Sequence, residues 1–376
     1  MMSARFLTVV LERAFNMRDG FGREIDYMRI SVIDSCNLNC YYCNPQDNNK
    51  NCQAINTLSV KKVLCIVRAA TRLGITHFRL TGGEPLLHPQ IDEMVSQIKK
   101  IPGVRSVSLT TNAVLLAQHA KQLKEAGIDS INVSLDTIDA SEYERITKKP
   151  LLEEVKHGIN AAIECGIRVK INVVLTPQTD VVALTRYVAK KGTDIRFIEM
   201  MPVGEGHTNG VEPYKKVIGT LSKLYGEPCR INTEKTKEIN SGNDKRKIPD
   251  NGPAEYYIFP ELGIRVGLIQ AIHGKFCDTC NRIRVTADGR LMPCLGSSVT
   301  MDLVPDSCEF TDDLEKDFVI VQALKAAIKA KPGCHNFNDN AVTYTKTTET
   351  KTVETKNTEL KAAEVNAARN MSRIGG

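Results

Sequence analysis

Three cysteines at CxxxCxxC spacing, Cys36, Cys40 and Cys43, follow an apolar run from Tyr27 to Ile33 that reads as a buried strand. Cysteine thiolates are the usual protein ligands of iron–sulfur cubanes, which hold four irons. Three thiolates leave one iron without a protein ligand, and an open position separates a catalytic metal site from a structural one. A zinc loop or three buried thiols is the plainer alternative. Zinc normally completes four ligands, and no fourth candidate lies nearby in sequence. A second set lies downstream: Cys277 and Cys280 as CxxC, then Cys294 after thirteen intervening residues. It too offers three thiols, and His273 keeps a four-ligand zinc site open as the competing reading.

Other residues that can do chemistry end the strands. Thr81-Gly82-Gly83-Glu84-Pro85 closes the second. Paired glycines permit positive φ and let a ligand approach the backbone closely, and Glu84 can accept hydrogen bonds from an ammonium. Thr110-Thr111-Asn112, Ser134-Leu135-Asp136, Lys170-Ile171-Asn172 and Arg196 to Met201 close the later ones. Any one of these serves equally well as a cap; at the same end of successive strands they point to a lined site. Arg282, Arg284 and Thr286 share one strand face, with Ile283 and Val285 on the other. Two guanidiniums on one face suit bidentate binding of phosphate oxygens; an exposed edge strand with solvated charges is the alternative.

The elements that must position these residues alternate. Strands are expected at 27–33, 77–81, 104–110, 130–135, 168–175 and 194–199, with helices at 57–73, 89–100, 114–126, 153–165 and 181–191. Six strand–helix units argue for an α/β fold, a parallel sheet with right-handed crossovers forming a partial (βα)6 TIM-type barrel. Chemistry in such barrels gathers at the C-terminal ends of the strands, where the first cysteine set falls. Beyond it, short strands at 256–259, 263–270 and 283–287 and helices at 213–225 and 312–331 suggest a C-terminal α+β region. The expected division is an N-terminal extension 1–20, the barrel 21–202, the second cysteine region 203–338 and a tail 339–376. Residues 340–360, nearly all Thr, Lys, Glu, Asn and Val, read as a flexible tether. A short helix at 362–371 and a terminal Gly375-Gly376, slim enough to thread a narrow tunnel, complete it.

With 376 residues, 42% hydrophobic and 25% charged, the chain has the composition of a globular protein with a real core. A net charge of +6 suits an anionic small substrate and is too diffuse to argue for nucleic acid. No apolar run approaches the roughly 18 residues of a membrane span, so no membrane partner is expected. Twelve scattered and grouped cysteines in so long a chain suggest reduced thiols in a cytoplasm rather than a disulfide framework.

Together the cysteine sets, TGGEP, VSLD, RFIEMMP, the FCxxCNRIR run, Phe21-Gly22-Arg23, Arg29 and the final Gly-Gly resemble the radical S-adenosylmethionine (SAM) superfamily. Within it they resemble the GTP 3′,8-cyclase (MoaA-type) family of molybdenum cofactor biosynthesis. The resemblance implies two [4Fe–4S] clusters, one on Cys36, Cys40 and Cys43 and one on Cys277, Cys280 and Cys294. It implies SAM contacts at Tyr42, Gly82, Gly83, Glu84, Ser134, Asn172 and Met201. GTP would meet Arg29, Arg79, Thr110, Lys170, Arg282, Ile283 and Arg284, and Gly375 and Gly376 would reach the active site. It further implies a flavodoxin or ferredoxin-type reductant, delivery to a cyclic pyranopterin monophosphate synthase, and room for a homodimer. A radical SAM enzyme acting on another substrate, such as a peptide, is the alternative. The chain departs from the family pattern at His77, where lysine is usual, at Ser35 and Asn44 around the first cysteines, and at Ala113, where glycine is usual.

Overall fold

Apolar residues alternate with polar ones along the strands, and alternate side chains of a strand share a face. Met28 and Ile30, Phe78 and Leu80, Val107 and Leu109, Ile131 and Val133 are all buried in one core beneath the helices. The residues between them therefore all turn to the opposite face, which is polar. A computed structural model of the chain describes residues 17–43, 55–203, 210–231, 252–297, 300–303, 313–335 and 337. The expected tether, the helix at 362–371, Gly375, Gly376, Asn44 and most of the N-terminal extension lie outside these residues.

The six expected strands are β1 (Tyr27–Ser31), β2 (His77–Thr81), β3 (Ser106–Thr111), β4 (Ser130–Ser134), β5 (Arg168–Val174) and β6 (Asp194–Ile198). Between them run α1 (Val60–Arg72), α2 (Ile91–Lys99), α3 (Leu116–Glu125), α4 (Ala140–Thr147), α5 (Leu152–Glu164) and α6 (Val181–Lys190). Side chains of Ser59, Asp139 and Asp180 cap α1, α4 and α6 by accepting from backbone N–H groups of the first turn. Next come α7 (Gly219–Tyr225), β7 (Cys229–Arg230), β8 (Glu255–Ile258), β9 (Arg265–Ile269), β10 (Arg282–Val285), β11 (Arg290–Met292), β12 (Met301–Asp302) and α8 (Asp313–Lys329).

The twelve strands among the described residues form one sheet, in the order β12-β11-β10-β1-β2-β3-β4-β5-β6-β9-β8-β7. From β10 through β1–β6 to β9 every pairing is parallel. The (βα)6 partial barrel is thus extended at each edge by a parallel strand from the C-terminal region. Because β10 lies beside β1 with Tyr27 opposite Arg282, Cys277 and Cys280 sit at the N-terminal end of the strands. The first cysteine set follows their C-terminal end. Pro293 and Cys294 return to the same N-terminal level, since β11 runs antiparallel to β10 with Arg284 opposite Met292. The two sets therefore occupy opposite ends of one polar strand face.

Two local departures have physical causes. Ala113 holds φ 66, a left-handed conformation in which a Cβ is strained by roughly 1–2 kcal/mol. Replacing Ala113 with Gly is expected to raise stability by about 1 kcal/mol, read as a higher thermal midpoint. α4 was not expected, because its eight residues, ASEYERIT, carry a short apolar face. It is nonetheless the platform for the first cysteine loop.

Candidate active site

The first cysteine loop is tied down on three sides. Asn39 N and Tyr41 N donate to Thr147 O and Ile146 O at the end of α4, at 3.0 and 3.1 Å. Tyr42 Oη donates to Asp136 Oδ2 at 2.5 Å, and Asp136 Oδ1 accepts from Val174 N. On the third side lies the Gly82-Gly83 turn: Gly83 N donates to Ile33 O and Glu84 N to Ser35 O, at 2.7 and 2.8 Å. The glycines are required by closeness, not by positive φ, since neither has it. A Cβ on Gly83 would lie 2.1 Å from Ser35 O, and one on Gly82 2.4 Å from Ile33 O. The close approach foreseen for a ligand is made by the cysteine loop's own backbone.

Glu84 is likewise drawn inward. Its carboxylate accepts from Thr111 Oγ1 and Asn112 N, both at 2.7 Å, and from Leu86 N at 3.0 Å. It is 1% exposed, so it organises the turn rather than offering its oxygens to an incoming ammonium. Burial pushes this carboxyl up to about 7 against the donors' opposing pull. A carboxyl raised above its unfolded value of about 4.5 gives stability that is complete below pH 4.5 and is lost as pH rises through 7. The melting-temperature difference between wild type and Glu84→Gln should therefore shift against wild type between pH 5 and 8. A flat difference would place the carboxyl in solvent.

Burial also raises the first three thiols, Cys36 to about 11 and Cys43 to about 12, with Cys40 higher still. A neighbouring carboxylate adds to the rise at each, and neighbouring thiols add to it at Cys40 and Cys43. Three free thiols that repel one another's charge when ionised fit iron as their neutralising partner. Among the described residues no three His, Cys, Asp or Glu side chains converge on a single-ion site. His273, the fourth zinc ligand considered, instead pairs its Nδ1 with Glu199. Glu199 also accepts from Ile272 N and His273 N, so it shapes the turn leading to Cys277.

The second set is fixed by two buried cations. Arg23 is paired with Asp19 and donates to Cys277 O at 2.7 Å, Gly333 O at 2.9 Å and Pro332 O at 2.6 Å. Lys331 Nζ donates to Arg282 O at 2.8 Å and Pro293 O at 2.9 Å, joining the stretches that carry Cys280 and Cys294. Burial raises the Cys280 thiol, but Arg282 and Lys331 outweigh it and bring it down to about 7. The same Arg23 contacts bring Cys334 into electrostatic range of Cys277.

Between the two ends the polar face forms rows set by register. Arg284, Arg29, Arg79 and Ser108 stand side by side across β10, β1, β2 and β3. Arg79 Nε donates to Ser108 Oγ at 3.0 Å. Burial and the neighbouring guanidiniums depress Arg29 strongly and Arg284 to about 10, the response of crowded cations that an anion would relieve. One pleat toward the first cysteines, Thr110, Asn132 and Lys170 form the next row. Ser134 and Asn172 form the row above, with Ser134 exposed at the mouth and Asn172 Oδ1 accepting from Arg196 Nε. Met201 packs with Val203, Met292, Leu295 and Phe337, linking the end of β6 to the residue after Cys294. The Ile283 side chain is in the core on the opposite face, as the strand alternation implies, which leaves its backbone for a ligand. His77 lies level with Tyr27, at the N-terminal end of β2, and burial lowers its pKa. Beside Asn281 and Arg282 a cleft of about 190 Å³ opens, lined also by Gly252, Pro253 and Thr279.

A parallel partial barrel with a three-cysteine loop after its first strand defines a radical SAM protein. Residues 30–183 match the radical SAM superfamily and residues 193–337 match Molybdenum Cofactor Synthesis C. Streptococcus suis SuiB bound to S-adenosylmethionine shares the fold at TM-score 0.53 and 16% identity, over 80% of this chain and 65% of that one. GTP 3′,8-cyclase of Clostridium perfringens is 35% identical over 85% of this chain and 95% of the relative. That of Clostridium acetobutylicum is 35% identical over 88% and 98%, and that of Listeria monocytogenes 36% over 85% and 92%. The chain belongs to the GTP 3′,8-cyclase family.

Among the described residues, no helix is long and apolar enough to cross a membrane. Sequence reasoning gives no role to Lys331 or Asn132, and it marks Arg23 and Arg196 only as parts of longer runs. The signal for Asn132 is a polar residue at every second position of a strand whose other positions are apolar.

Proposed function

We infer that this chain is a GTP 3′,8-cyclase, converting GTP to 3′,8-cyclo-7,8-dihydro-GTP in the first step of molybdenum cofactor biosynthesis. The observation that carries this reading is the row Arg284, Arg29 and Arg79 lying between cysteine sets at opposite ends of one polar face. A peptide substrate would have little use for so many guanidiniums crowded on one strand face.

Cys36, Cys40 and Cys43 would hold one [4Fe–4S] cluster and Cys277, Cys280 and Cys294 the other. When bound, the first cluster and SAM supply the radical that takes the ribose 3′ hydrogen, leaving C3′ to join C8. The chain's own part is placement. Tyr42, Gly82, Gly83, Ser134, Asn172 and Met201 shape the SAM end, with Glu84 fixing the turn behind it. Arg29, Arg79, Arg282, Arg284 and Lys170 neutralise the triphosphate by charge-assisted hydrogen bonds, and Thr110 and the Ile283 backbone add neutral contacts. The guanine would lie toward the second cysteine set. Enclosure by the strand face keeps water and other quenchers from the radical.

We assign Gly375 and Gly376 a place in the site on family resemblance. A flavodoxin or ferredoxin-type donor in a cytoplasmic setting, and a cyclic pyranopterin monophosphate synthase downstream, follow from the same reading. The test is anaerobic reconstitution followed by incubation with SAM, dithionite and GTP. The expected products are 5′-deoxyadenosine and the cyclised nucleotide in equal amounts. 5′-Deoxyadenosine without any change in GTP would overturn the substrate assignment.

A further inference from the structure

Asn132 sits at the centre of β4, on the polar face, and is 1% exposed. Neither its Oδ1 nor its Nδ2 has a hydrogen-bond partner, and Oγ1 of the adjacent Thr110 has none either. Buried polar groups are almost always paired, and an unpaired amide is destabilising on both its atoms. Three such atoms stand side by side, because Thr110 is opposite Asn132 and Asn132 opposite Lys170. A side chain kept there at the expense of stability is a side chain that meets something else.

Its height in the barrel narrows the choice. Strands rise about 3.3 Å per residue, so Ser134 lies roughly 7 Å from Asn132 on the mouth side and Ser130 roughly 7 Å on the other. Ser134 belongs to the row assigned to SAM, and Ser130 is level with Ser108 and so with Arg79. Asn132 is therefore midway between the arginine row and the SAM end. A ligand that satisfies it must both donate and accept. A phosphate oxygen can only accept, so it would meet Nδ2 and leave Oδ1 unpaired. A pair of adjacent hydroxyls does both. Lys170 flanks Asn132 in the row and is itself 4% exposed.

We propose that Asn132, with Thr110 beside it, binds the ribose 2′,3′-diol of the nucleotide and selects ribonucleotide over deoxyribonucleotide. The inference rests on the cyclase reading for the identity of the nucleotide. The diol held in this way turns one sugar face, and with it the 3′ hydrogen, toward the SAM end.

The test is anaerobic equilibrium dialysis of the reconstituted full chain with GTP, 2′-deoxy-GTP and inorganic triphosphate, for wild type and Asn132→Leu. Wild type should bind GTP about tenfold more tightly than 2′-deoxy-GTP, the effect of one hydrogen-bonded hydroxyl. In Asn132→Leu the two nucleotides should bind alike, inorganic triphosphate should bind as in wild type, and the ligand-free melting temperature should not fall. Preference for GTP that survives in Asn132→Leu, or is absent from wild type, overturns the inference. So does a variant that loses triphosphate binding and melts lower, since Asn132 would then be a packing residue. Failure of the cyclase reading looks different: wild type discriminates between the two sugars but forms no cyclised product, or binds no GTP at all.

Discussion

Arg284→Met is expected to lower GTP cyclisation by roughly two to three orders of magnitude, the loss of two charge-assisted hydrogen bonds in a desolvated site. Formation of 5′-deoxyadenosine should continue, uncoupled from GTP. Arg284 is buried, and its neighbours Arg29 and Arg282 hold like charge beside it. Methionine keeps much of the volume and removes one of the crowded cations, so the ligand-free protein should melt no lower than wild type. Low activity with intact stability and intact SAM cleavage is the pattern of a lost phosphate contact. A variant that cyclises GTP normally would remove Arg284 from the site, and one that also stops cleaving SAM would give it a structural role.

The second large effect is expected at Gly83. A methyl group there would stand 2.1 Å from Ser35 O and 2.5 Å from Ser35 C. Both are backbone atoms of the segment leading into Cys36, and neither can yield without moving that loop. Gly83→Ala should displace the first cysteine set and leave the second in place, because Arg23 and Lys331 hold the latter independently. Iron content of the reconstituted protein should fall from about eight to about four per chain, and 5′-deoxyadenosine should disappear. Eight irons and normal SAM cleavage would show that the loop tolerates the methyl group.

The strand–helix alternation was legible because period-two and helical patterns are local. All six barrel strands fall where the apolar runs placed them, and five of the helices between them do too. What was not legible is non-local. β10 pairs with β1 across more than two hundred residues of chain, and no pattern in Arg282–Val285 names Tyr27–Ser31 as its neighbour. The row Arg284, Arg29 and Arg79 follows from that pairing alone, so the arginines could be marked one by one but not as one surface. At Gly82-Gly83 the small size serves the cysteine loop's backbone, not positive φ, and sequence alone does not distinguish the two. Glu84 shows the same limit, since only the fold reveals three donors converging on its carboxylate. α4 was missed because a short helix with few apolar residues leaves a weak periodic signal, yet it carries Tyr41 and Asn39. Ala113 was noticed as a departure, and its φ supplies the reason glycine suits that position.

The account rests on the ribose lying on the polar face between the two cysteine sets, with C3′ turned to the SAM end. The most direct measurement is a single turnover of the reconstituted protein with GTP carrying deuterium at C3′, followed by mass analysis of the 5′-deoxyadenosine. One deuterium per molecule of 5′-deoxyadenosine is the predicted result. Cyclised or unchanged GTP that retains its deuterium while 5′-deoxyadenosine carries none would contradict it.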